Sequence, residues 1–276
     1  MLPNVQTVIY NLTIPSSGQE ITFRPFLVRE HKTLLQALEL KDAGVFVNTI
    51  CNIIKSCVKE PIDIDDLTQF DVDYIFLNIR AKSVGEIVPV KYTCMREVNK
   101  KKKVKNEVID PNNPDKKIIE ETETDVIETC GTRINLQLDL SNIKVVIPTN
   151  YAKKRVIQID ENNGIKLKAP GFKYFRMLME KSKVDGSVEN MTNFENDLIF
   201  GCIESVFDKD KIYLPKSDFN LEEFSLFIER LPANALAEIN NFFDEIPYVA
   251  LQSKVTCHIC GNQQMIELRT LEDFFV

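Results

Sequence analysis

The spacing of apolar residues changes period several times along the first ninety positions. Val5, Val8, Tyr10 and Ile14, then Ile21 and Phe23, alternate with polar residues on either side of Ser16-Ser17-Gly18, which predicts a β-hairpin within Val5–Phe26. Leu34, Leu35, Leu38 and Leu40 then recur at helical spacing between Glu30 and Lys41. Phe46, Ile50, Ile53, Ile54 and Cys57 do the same from about Val45 to Val58. A third helix is expected to start near Asp71, read as its N-cap, with Val72, Ile75, Phe76 and Ile79 on its apolar face. Gly85 closes that region, and Ile87 to Cys94 reads as a strand.

The pattern begins again after position 150. Arg155 to Lys168 predicts a hairpin around Asn162-Asn163-Gly164. Helices are expected at about Phe172–Lys183, Asn193–Phe207, Leu221–Arg230 and Ala233–Asp244, followed by a strand that ends at Cys257. Phe70-Asp71-Val72-Asp73-Tyr74 resembles Phe219-Asn220-Leu221-Glu222-Glu223, and Asn52-Ile53-Ile54-Lys55-Ser56 resembles Cys202-Ile203-Glu204-Ser205. These matches suggest an α+β chain of two similar hairpin–helices–cysteine-knuckle units. The expected division is 1–94 with 130–150, a polar insert at 95–129, and 151–276. Two unrelated α+β segments with common helix patterns would give similar matches. The insert carries Lys100 to Lys103, the turn-forming Asp110-Pro111-Asn112-Asn113-Pro114-Asp115, and Glu120, Glu121 and Glu123. Few of its residues could join a core, so it reads as a solvated loop or extended hairpin.

The two knuckles carry the chemistry. Lys91-Tyr92-Thr93-Cys94 and Lys254-Val255-Thr256-Cys257 share the pattern Lys-x-Thr-Cys. Each precedes a second cysteine followed by glycine, Cys130-Gly131 and Cys260-Gly261. Leu136 and Leu138 follow in one case as Ile266 and Leu268 do in the other. Cys94, Cys130, Cys257 and Cys260 are therefore the candidate ligands of one structural zinc in a zinc-ribbon-like site of four cysteines. Four thiolates would satisfy the metal and leave no open position for substrate. The alternative is four free cysteines in a fold that has lost a metal. His258 could replace a ligand, but its place inside the second knuckle reads as exposed, and His31 reads as a surface or capping residue rather than a general base. Cys51, Cys57 and Cys202 fall on apolar helical faces and read as small core residues.

Composition narrows the function. The 276 residues are 44% hydrophobic and 27% charged, ordinary for a soluble globular protein. A net charge of -7 argues against a dedicated nucleic-acid binder. No apolar run reaches the ~18–20 residues of a membrane helix, and Met-Leu-Pro-Asn-Val does not read as a signal peptide, so folding in a reducing cytoplasm is expected. No phosphate-binding, dinucleotide, hydrolase or metalloprotease motif occurs, and no catalytic constellation or small-molecule site is assigned. An interaction protein is the leading reading. A zinc-ribbon nucleic-acid binder, supported by the lysine run, is the alternative, and a metalloenzyme is disfavoured by a closed site. Phe242-Phe243 and Phe274-Phe275 are candidates for partner contact, with a core position the competing reading.

Three stretches carry a family likeness: Phe26 to Leu35; Asp73 to Arg80 with Lys82-Ser83-Val84-Gly85-Glu86; and Cys257-His258-Ile259-Cys260-Gly261 closing on Leu271-Glu272-Asp273-Phe274-Phe275. In these the chain resembles the baseplate hub protein family of T4-like contractile-tailed bacteriophages. The resemblance implies a structural or assembly role in the tail baseplate and no enzymatic activity. It also implies baseplate or tail-tube proteins as partners, and a place in the host cytoplasm during assembly and in the virion tail. The chain departs from the family pattern in the long insert between Cys94 and Cys130.

Overall fold

The chain opens with a tight antiparallel pair, β1 (Tyr10–Thr13) and β2 (Glu20–Phe23), in the register Tyr10↔Phe23 to Thr13↔Glu20. Gly18 supplies the positive φ of 71° that the connecting turn requires. Ile14, Ile21 and Phe23 turn inward and are buried. This is a computed structural model, and it describes residues 6–110, 113–181, 196–269 and 271. Among them no helix is long and apolar enough to cross a membrane.

Three helices follow, each started by a recognisable cap. In α1 (Val28–Glu39) the Glu30 carboxylate reaches back to accept the Leu27 N–H at 2.7 Å. In α2 (Ala43–Cys57) Asp42 accepts the Val45 N–H at 3.0 Å. Phe46, Ile50, Cys51, Ile53, Ile54 and Cys57 of α2 are buried. The third helix, α3 (Gln69–Val84), corrects the expected cap. Thr68 is the N-cap, and Asp71 sits three residues on in a capping box. The Asp71 carboxylate accepts from the Thr68 N–H and hydroxyl and from the Ser16 N–H, so it is fully buried and pins the first hairpin turn to the helix. Gly85, at φ 109°, ends α3.

Strand β3 (Ile87–Thr93) pairs with β6 (Arg133–Asp139), and between them run β4 (Glu97–Asp110) and β5 (Asn113–Thr129), which form one long hairpin. After β7 (Lys144–Val146) and a short α4 (Tyr151–Lys154) come β8 (Val156–Gln158) and β9 (Gly164–Leu167). Asp160 shapes their turn by accepting the N–H groups of Asn162 and Asn163. Helix α5 (Phe172–Lys181) follows.

The helix expected over 193–207 is not continuous: its described part is helical at 196–202, and Ile203–Phe207 is strand β10. Pairing overrides helical periodicity here, because β10 lies between β9 and β11 (Ile212–Tyr213) in a four-stranded antiparallel sheet, β11-β10-β9-β8. Gly164 is needed in that sheet, since a Cβ there would lie 2.2 Å from the Phe207 ring. Helices α6 (Leu221–Ile228), capped by Asn220 with Glu223, and α7 (Ala233–Phe243) close over the sheet. Ile157, Ile165, Leu167, Ile203, Phe224, Ile239 and Phe242 form the core between them. Strand β12 (Tyr248–Thr256) pairs at its start with β7 and continues to the second knuckle, after which β13 (Gln263–Leu268) returns along it.

The short repeats within the sequence fare unevenly. The capping boxes Thr68–Asp71 and Asn220–Glu223 are equivalent, but they stand three positions out of step with the match of Asp71 to Asn220. Asn52 to Ser56 lies inside α2, whereas its counterpart Ile203 to Ser205 is strand. Two compact units result. One gathers the chain up to Ile87 with Asp139–Leu251 and a short return at Arg269; the other gathers Val88–Leu138 with Gln252–Leu268.

Candidate metal centre

All four knuckle cysteines belong to the second of these units. The two knuckles use the same backbone scheme. The Cys94 N–H donates to the Thr132 carbonyl at 2.9 Å, and the Cys257 N–H donates to the Asn262 carbonyl at 2.8 Å. The Gly131 N–H returns to the Cys94 carbonyl at 3.0 Å as the Gly261 N–H returns to that of Cys257 at 2.9 Å. Both glycines hold positive φ, 68° and 67°, the conformation that a turn this tight needs. The insert does not disturb the first knuckle because its ends close on themselves: the Cys130 N–H donates to the Arg96 carbonyl at 2.8 Å.

The scheme brings four sulfurs together. Cys94 Sγ lies 3.7 Å from Cys260 Sγ and Cys130 Sγ lies 3.8 Å from Cys257 Sγ, and all four fall within 4.8 Å of one another. A disulfide needs about 2.05 Å, so these are free thiols. Metal–sulfur bonds of about 2.3 Å in a tetrahedron place sulfurs about 3.8 Å apart, which is the spacing of these two pairs. The cluster could hold a metal ion.

The surrounding dipoles favour thiolates but do not balance four of them. The N–H groups of Cys260 and Ile259 point at Cys257 and hold its thiol down to about 6. The Thr132 hydroxyl, 3.1 Å from Cys130 Sγ, and the Thr132 N–H lower Cys130. Cys260 accepts the Asn262 N–H, which favours its thiolate, yet burial and the neighbouring sulfurs push it up to about 11. Like charges this close resist common ionisation unless a cation joins them. Around the cluster, Arg96 Nη1 donates to the Cys260 carbonyl at 3.3 Å, and Gln264 donates to the Tyr92 hydroxyl. None of these supporting contacts was expected from sequence. Thr132 alone left a signal there, as the polar residue two places after Cys130.

The other candidates separate from this centre. Cys57 and Cys202 are buried and pushed up to about 11 and about 12, and Cys51 is raised by the same cause, so these three are inert core thiols. His258 is exposed, while His31 is half-buried with its ring stacked on Phe26 at 5.7 Å. Phe242 is fully buried and Phe243 packs against the same core. Phe274 and Phe275 lie outside the described residues. Lys100 to Lys103 are exposed on β4, and three of them reach Glu123 or Glu128 across the hairpin. In the first unit a cleft of about 760 Å³ is bordered by Asp65, Arg155 and Glu204, whose charges are paired: Arg155 and Lys166 with Glu204, and Arg176 with Asp65.

A family model described as T4 bacteriophage base plate protein matches residues 7–276. No curated protein and no solved structure matches the chain. With essentially the whole chain covered, the protein belongs to the T4 bacteriophage base plate protein family.

Proposed function

We propose that this chain is a structural or assembly component of the baseplate hub, working by protein–protein binding and held together by one structural zinc. Cys94, Cys130, Cys257 and Cys260 are its ligands in this reading. The observation that carries it is the set of four sulfurs within 4.8 Å of one another, two pairs of them at the spacing of a tetrahedral site, on two knuckles of one design. All-sulfur tetrahedral sites select zinc or iron, and a site closed by four protein ligands offers no position for substrate. The metal therefore contributes folding energy, on the order of 10–16 kcal/mol in small finger peptides.

The same knuckle scheme supports descent from two similar units, 1–94 with 130–150 and 151–276, the stretch 95–129 having been inserted into the first. On this reading the helical parts have diverged, β10 and β11 being additions to the second. Partners are other baseplate or tail-tube proteins, met during assembly in the host cytoplasm and retained in the virion tail. The C-terminal Phe274 and Phe275 are proposed as part of the contact. The nucleic-acid reading has the net charge of -7 against it, and Lys100, Lys101 and Lys102 already face glutamates across the hairpin.

Elemental analysis of protein prepared without chelator tests the metal. One equivalent of zinc is expected, falling to near zero in Cys94→Ser and Cys257→Ser. Four freely titratable thiols and no metal in the wild type would overturn the assignment. Copurification with baseplate proteins from infected cells tests the role separately.

A further inference from the structure

Strands β4 and β5 pair with each other and, among the described residues, with no other strand, although they run for 14 and 17 residues. A two-stranded ribbon is marginal in water by itself, and both outer edges of this one present a row of backbone N–H and C=O groups. The charges are segregated over the half of the hairpin nearer the knuckle. Between 98 and 106 every charged residue of β4 is a lysine, at 100, 101, 102, 103 and 105, and between 118 and 129 every charged residue of β5 is acidic, Glu120, Glu121, Glu123, Asp125 and Glu128; nearer the turn Glu107 and Asp110 of β4 and Lys116 and Lys117 of β5 reverse the sense.

We propose that the hairpin joins a second copy of this chain, the lysine-bearing edge of β4 in one copy pairing with the acidic edge of β5 in the next. Charge favours this arrangement over 98–106 and 118–129. Two β4 edges would set lysine against lysine, and two β5 edges would set carboxylate against carboxylate, both destabilising on adjacent strands. The β5-to-β4 contact is antiparallel, like the hairpin itself, and extends the ladder without a break in direction. It is also head-to-tail, so it repeats from copy to copy until a ring closes.

Pairs of this kind already form inside one hairpin. Lys102 reaches Glu128 at 2.8 Å, Lys100 reaches Glu128 at 3.6 Å, and Lys101 reaches Glu123 at 3.9 Å. They remain open to a neighbour, the Lys101 and Lys102 side chains being 73% and 65% exposed.

Sedimentation of the full, metal-loaded chain tests it. Self-association is expected at low ionic strength and should weaken in salt, where exposed charges are screened within about 10 Å at 0.1 M. A variant with Lys100, Lys101, Lys102 and Lys103 changed to Glu should associate at least about tenfold more weakly, as should one with Glu120, Glu121, Glu123 and Glu128 changed to Lys. Mixing the two should restore a mixed oligomer. A variant carrying both sets of changes, which keeps the hairpin's own charge pairing in reversed sense, should associate as the wild type does. A monomeric wild type at low salt would overturn the proposal, as would oligomers unaffected by either reversal or failure of the mixture to reassociate.

Discussion

Asp73 is a carboxylate where a carboxylate is costly. It lies on α3 at 8% exposure, and burial pushes its pKa up to about 7. An unfolded aspartate titrates near about 3.9, so between about pH 4 and pH 7 unfolding releases a proton that the folded chain retains. Stability from this group is accordingly greatest in acid, falls as pH rises through that window and is level above it. Asp73→Asn should raise stability by on the order of 1–3 kcal/mol near about pH 8 and change little near about pH 4. Denaturant melts of both proteins at the two pH values check this, and an equal loss at both would show a carboxylate engaged in bonding. The cysteines give a second contrast. Cys202→Ala removes a buried thiol from the core and should cost about 0.5–3 kcal/mol with the zinc content unchanged, unlike the knuckle variants.

At the scale of elements, two helix starts use the same capping box in different surroundings. Asn220 is exposed, and Asn220→Ala should cost about 1 kcal/mol. Asp71→Ala removes three accepted hydrogen bonds and strands the Ser16 N–H, so a loss of about 2–4 kcal/mol is expected from thermal or urea melts. The β4–β5 hairpin should behave in the opposite way. Its ends already close through Cys130 and Arg96, so replacing residues 97–127 with a short Gly-containing turn should leave the melting curve within about 1 kcal/mol and the zinc in place. A loss of several kcal/mol would show the hairpin to be part of the core.

For the whole molecule, the proposed function rests on surfaces that meet other chains. Phe274→Ala with Phe275→Ala should leave the protein folded and metal-loaded while weakening its capture by baseplate proteins. Aromatic residues at interface centres commonly cost more than ~2 kcal/mol when truncated. A pull-down beside a melt of the isolated chain distinguishes the outcomes: collapse of the melt with normal capture would place the pair in the core and the interface elsewhere.

Local signals alone determined much of this protein. Helical periodicity marked α1, α2 and α3, and Asn162-Asn163-Gly164 marked the turn between β8 and β9. The two Thr-Cys and Cys-Gly pairs named the four sulfurs that meet. Those features depend on spacings of a few residues, which the chain displays directly. Tertiary structure decided the rest. Ile203 to Phe207 became strand because β9 and β11 offered it partners on both sides, which outweighs a weak helical preference. The Thr68–Asp71 capping box is itself a local signal, whereas the use of Asp71 to pin the first hairpin depends on the distant Ser16, whose N–H donates to it. The polar insert, legible as a solvated loop or extended hairpin, took a definite register, Glu97↔Thr129 through Ile109↔Lys117, with its two ends held at the first knuckle. Partners far apart along the chain set each of these outcomes, and no local pattern of polar and apolar residues encodes which distant group will arrive.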